Sequence, residues 1–267
     1  MIPEPLGGHV LAWIVVAMLL YALATNLMWA ARHAARVPWW WPSWANARHA
    51  EATAYGLYML GIPVAAVLWR VPGLHAANLG LPMPDAAPMA ATGAPGPWAT
   101  AAMLASGAVA TWGIVAGGRW WHAVATGGAR AMTVRAPGPA LVGHVALAAL
   151  LHEAHWAFFR AGALSLGLGG HRTAGVFLGL GLLGIEAWMN PAARAAVHDE
   201  EALAVRARTA SLAVLSALLF VLTGNTLVCL AAHLATGLGL AASGLVTVPE
   251  PEPASPTEIG AIEPTVV

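Results

Sequence analysis

Residues Thr209–Val248 read TASLAVLSALLFVLTGNTLVCLAAHLATGLGLAASGLVTV, without one charged side chain. At roughly 1.5 Å per residue, one helix of that length is about twice the ~30 Å hydrocarbon core of a bilayer. The polar break Thr223-Gly224-Asn225-Thr226 divides the stretch, so it reads as two membrane helices in a tight hairpin. The whole chain follows the same pattern. Of its 267 residues 59% are hydrophobic and 9% charged, with mean hydropathy +0.69. An ordinary soluble domain carries about 25% charged residues, too many for this composition to supply.

Charges mark out the remaining spans. Glu4 and Arg32 enclose a first, centred on Val10–Ala31, and Glu51 and Arg70 a second, Ala52–Trp69, mildly broken by Pro63. Thr100–Gly118 gives a third and Leu141–Phe159 a fourth. Thr173–Met189 gives a fifth, ended by Asn190-Pro191, because proline cannot continue a helix. The long, unbroken Ala/Leu runs do not alternate as barrel strands do. The expected fold is all-α, a polytopic transmembrane helical bundle of about seven spans. It occupies 1–243, followed by an acidic, proline-rich disordered tail over 244–267. The first span is too long for a signal peptide and lacks a basic leader.

All twelve basic residues are arginine, balanced by twelve acidic ones. Zero net charge removes the footprint of a nucleic-acid binder. The lone Cys229 excludes an intramolecular disulfide and any CxxC site. Arg32, Arg36 and Arg48 follow span one, Arg119, Arg130 and Arg135 span three, and Arg194, Arg206 and Arg208 span five. The positive-inside rule then puts the N-terminus outside the cell membrane and the C-terminus in the cytoplasm. Trp39, Trp40, Trp41 and Trp44, with Trp120 and Trp121, stand beside arginines as an aromatic belt does at the headgroups. The loop 71–98 holds six prolines and reads as irregular.

Ionisable residues inside spans are costly in lipid and face a protein interior or a wet cavity. They gather in the C-terminal half: His144, His152, Glu153, His155 and Arg160 in span four, Glu186 in span five, His233 in span seven. His152-Glu153-Ala154-His155 is not the zinc-protease HExxH motif, whose histidines stand at i and i+4. Spacing of three still lets both histidines share a face, so the pair can contribute to a metal site. At about 100° per residue Glu153 and Arg160 point nearly the same way, but lie roughly 10 Å apart along the axis. Contact between them needs long side-chain reach; otherwise Arg160 snorkels to the interface. Glu153 and His155 point about 200° apart.

Residues 140–240 resemble the CAAX protease and bacteriocin-processing family, the CPBP or Abi-type intramembrane proteases. That family carries EExxxR on one membrane helix, FxxxH on the next, and HxxxN or a variant near the C-terminus. Arg160 in His155-Trp156-Ala157-Phe158-Phe159-Arg160 matches the arginine and its preceding aromatic, and His233 matches the third-motif histidine. Gly237 stands where Asn or Asp is usual. His155 and Trp156 replace the paired glutamates, while Leu182-Leu183-Gly184-Ile185-Glu186 stands in for FxxxH. The order Glu, His, His thus becomes His155, Glu186, His233, which keeps one carboxylate and two imidazoles, and the resemblance implies that this set could also hold a divalent metal such as zinc.

The resemblance implies hydrolysis of peptide bonds in or near the membrane, on a membrane-bound peptide or protein substrate with lipid as the surrounding partner. Its site would use Glu186 or Glu153 as base, His155 and His233 to position water or metal, and Arg160 as a structural or oxyanion-stabilising group. Lost glutamates are equally what a non-proteolytic descendant shows. A haem- or proton-handling membrane protein, with ligands from His144, His155 and His233, is the alternative from another class. A non-catalytic membrane scaffold is the third.

Overall fold

A computed structural model describes residues 6–33, 53–72, 74, 78–81, 138–167 and 172–242. Most of these residues are helical, with no strand among them. The helices are α1 (Leu6–His33), α2 (Thr53–Leu68), α3 (Pro139–Leu164), α4 (Arg172–Met189), a short α5 (Pro191–Ala195), α6 (Glu200–Thr223) and α7 (Thr226–Ala242). The expected span at 100–118, both tryptophan clusters and the tail from 244 lie outside the described residues.

Among the described residues, two helices are long and apolar enough to cross a membrane, Val10–His33 and Ala202–Thr223. A third is reached if α4 and the segment Pro191–His198, bent by 86°, form one span. A seven-span count is therefore not established by the helices themselves. The outer face of α1 is Val15, Val16, Leu19, Leu20, Leu23 and Leu27, all exposed. An apolar face of that extent suits lipid and not water.

Local chemistry explains where the helices stop. Asn190 adopts an extended backbone and its side chain accepts a hydrogen bond from Ala192 N, with Pro191 as the first residue of α5. An asparagine cap followed by proline ends one helix and starts another. Asp199 caps α6 in the same way through Ala202 N. Gly224 closes α6 at φ +63, the left-handed conformation that glycine reaches without strain. Asn225 then accepts from Leu227 N and opens α7. Inside α2, Leu57–Gly61 forms a π-turn just ahead of Pro63. Proline lacks an N–H and crowds the carbonyl four residues back, so the wider turn relieves Pro63.

The core is built around α3, which packs on α1, α2, α4 and α7. Phe158 and Phe159 lie against Val10, Ile14 and Ala66 in one cluster, and Trp156 meets Leu212 and Ala213 of α6 in another. Helix α4 approaches α3 closely: a Cβ on Gly179 would stand 3.0 Å from the Arg160 Cα. Contacts fix the directions. Arg160 meets Ser216, Trp156 meets Leu212 and Tyr55 meets His152, so α2, α3 and α6 run the same way. His155 meets Glu186 while Leu164 meets Gly175, and Glu153 meets His233 while Val145 meets Gly237. Helices α4 and α7 therefore run opposite to α3.

Candidate functional site

Helix α3 carries two acid–histidine pairs on opposite sides. Glu153 and His155 differ by two positions, about 200° of rotation, so their partners come from different helices. His155 Nε2 lies 2.9 Å from Glu186 Oε2 and 3.2 Å from Oε1, and Tyr58 OH of α2 donates to Oε1. An ionised carboxylate only accepts, so Nε2 supplies the proton of that bond. The opposite nitrogen, His155 Nδ1, is buried without a partner.

The other pair is Glu153 with His233. His233 Nδ1 lies 3.3 Å from Glu153 Oε1, while Ser216 Oγ of α6 donates to Oε2 at 2.9 Å. Arg160 lies across the same carboxylate, with Nη2 at 3.6 Å from Oε2. Its Nη1 donates to Ser216 Oγ at 2.7 Å and its Nη2 to Thr226 Oγ1 at 3.3 Å, and its guanidinium sits 4.6 Å above the Phe220 ring. Thr226 in turn donates from Oγ1 to Leu79 O and from its backbone N to Gly80 O, tying the segment 78–81 to the start of α7. Glu153 is 1% exposed and Arg160 2%. Arg160 does not snorkel; its long side chain folds back along α3 and bridges the two helical turns to Glu153.

The sequence set is thus divided. His155 and Glu186 meet as expected, but His233 pairs with Glu153. Among the described residues no three of His, Cys, Asp and Glu converge to hold a metal ion. His155, Glu186 and His233 do not fit a single ligand set, because the rotation along α3 sends His155 and Glu153 to different neighbours. Neither side needs His144, which lies on the same helix more than two turns away.

A cavity of about 60 Å³ adjoins the Glu153–His233 side. His144, His152, Arg208, Thr209, His233 and Gly237 are in its wall. At ~10–15 Å³ for each water that volume holds several. With Nδ1 donating to Glu153, the neutral His233 ring leaves Nε2 as a lone-pair acceptor, and no described residue bonds it. His152 stacks on His233 at 5.7 Å and on Trp156 at 5.3 Å, while Trp156 and His233 stack at 5.2 Å. These parallel rings fix the plane of His233. Tyr55 OH lies 3.0 Å from His152 Nε2 and holds that ring in turn.

Sequence reasoning singled out every ionisable member of these pairs and missed Tyr55, Tyr58, Ser216 and Thr226. Their signal was a hydroxyl within an apolar helix, which becomes distinctive only once a charged neighbour is known. No family model, curated protein or solved structure matches this chain.

Proposed function

We propose that this chain is a seven-span membrane protein of the CAAX protease and bacteriocin-processing type, hydrolysing peptide bonds of membrane-bound substrates through Glu153 and His233. One observation carries the reading: a buried carboxylate, held on one oxygen by Arg160 and Ser216, bonds the cavity-lining histidine on the other. Such a pair orients an imidazole and stabilises its protonated form. His233 Nε2 takes a proton from a cavity water as its oxygen attacks the peptide carbonyl carbon. When the C–N bond breaks, the same proton passes to the leaving amine. This reading differs from the sequence expectation, which makes Glu186 or else Glu153 the base and favours Glu186: here His233 is the base and Glu153 orients it.

The helix directions support the topology. Spans one, five and seven correspond to α1, α4 and α7, and Ile14 packs at Gly162 while Asn26 bonds Met189 O, so α1 runs with α4 and against α3. Spans two, four and six correspond to α2, α3 and α6, which share the other direction. That α2 and α3 run alike supports reading the sequence run 100–118 as one span between them. Together with the arginine distribution this supports an N-terminus outside and a C-terminus in the cytoplasm. Reporter fusions after Arg48, Arg135 and Arg208 are expected to report cytoplasm, and an external signal at any of them reverses the orientation.

The activity is tested by quantifying new peptide termini in membranes of cells producing the protein or its Glu153→Gln variant. Termini that accumulate with the unmodified protein should fall by roughly 100-fold or more in the variant, which keeps shape and loses the charge. Equal accumulation in both removes Glu153 from catalysis. No new termini with either removes the hydrolase reading and leaves a fold without the chemistry.

A further inference from the structure

The cavity beside His233 contains a cation that nothing in the described protein answers. Arg208 of α6 is in the wall with Thr209, its neighbour, and is half-buried. It makes no ion pair or hydrogen bond with any described residue. The other polar wall groups are His144, His152 and His233, and among the described residues no carboxylate lines the space. Because α3 and α6 run in parallel, with Arg160 beside Ser216 and Trp156 beside Leu212, Arg208 falls level with His152. His152 adds an unmet polar atom. Its Nε2 is engaged by Tyr55, and its Nδ1 is buried without a partner. When the tyrosine hydroxyl donates to Nε2, the proton of the neutral ring stands on Nδ1.

We propose that this cavity is an oxyanion-binding site anchored by Arg208, taking a carboxylate or phosphate group from a free small anion or a lipid headgroup. A guanidinium in a half-buried wall presents a planar fork of donors that matches two oxygens of such a group at once. The unpartnered Nδ1–H of His152 supplies a further donor beside it. The inference is independent of the hydrolytic reading, since it requires binding alone.

The test uses the full chain in phosphatidylcholine nanodiscs, with inorganic phosphate as the probe and chloride at equal ionic strength as the control. Saturating phosphate should raise the Tm by about 3 °C. The rise should vanish in Arg208→Gln, weaken in Arg208→Lys and persist in Arg206→Gln, which removes an exposed arginine two residues away. Nitrogen NMR of the imidazoles gives a second readout, in which phosphate moves the His152 and His233 signals of the unmodified protein and not of Arg208→Gln. If nanodiscs containing phosphatidylglycerol raise the Tm through Arg208 and phosphate adds nothing, the natural source is a headgroup. A Tm rise and imidazole shifts that survive in Arg208→Gln overturn the proposal. So does the absence of any response to both phosphate and phosphatidylglycerol.

Discussion

Two carboxylates face away from each other across α3, and they are satisfied by different kinds of partner. Glu153 divides its oxygens between a histidine and a serine, with a guanidinium across them. Glu186 takes a histidine and a tyrosine, and among the described residues no arginine stands beside it. A fixed positive charge compensates a negative one in low dielectric, whereas a hydroxyl and an imidazole offer only protons to share. The cavity adjoins the first pair and not the second. The contrast separates a pair beside a cavity from a pair that joins helices α2, α3 and α4.

The strongest blow to the contrast is Arg160→Met. It leaves Glu153 buried without its cation and takes the donors from Ser216 and Thr226, so stability in denaturant titrations should fall by about 3–5 kcal/mol. A loss below about 1 kcal/mol would make the two carboxylates equivalent. Next comes a comparison of rates. Glu153→Gln should lower peptide hydrolysis by roughly 100-fold or more, and Glu186→Gln by less than about tenfold. The reverse pattern would transfer the chemistry to the tyrosine side.

Smaller effects refine the picture. Tyr58→Phe removes a hydrogen bond to a carboxylate and should cost about 1.5–3 kcal/mol, against about 1 kcal/mol for Tyr55→Phe, whose partner is an imidazole. Equal losses would mean that Glu186 is no more dependent on α2 than His152 is. The smallest belongs to the hairpin between α6 and α7. Gly224→Ala puts a side chain at φ +63 and against the Arg172 guanidinium, for a loss of about 1 kcal/mol by thermal unfolding.

The parts of this architecture that were legible in the sequence are those governed by neighbours along the chain. Asn190-Pro191 and Thr223-Gly224-Asn225-Thr226 end helices through their own backbone preferences, and both breaks stand where they were read. The angle between Glu153 and His155 was equally local. Which helix would meet each of them was not, because that depends on how α4 and α7 rotate about their own axes, and glycines such as Gly179 and Gly237 set the approach. Arg160 shows the same limit. Its axial distance from Glu153 was computable, but its choice between the interface and the interior depended on Ser216 and Thr226, more than fifty residues away in sequence.

The π-turn in α2 has a consequence for descent with length change. Tyr55 and Tyr58 lie on the N-terminal side of Met59–Gly61 or at its edge, and each reaches a different polar group beside α3. Loss of one residue from Met59–Gly61 would rotate everything before it by about 100° relative to Pro63 and Ala66. Both hydroxyls would swing away together, stripping His152 and Glu186 in a single event. A shortening of this helix must therefore replace two contacts at once, so the count of residues in α2 matters as much as their identity.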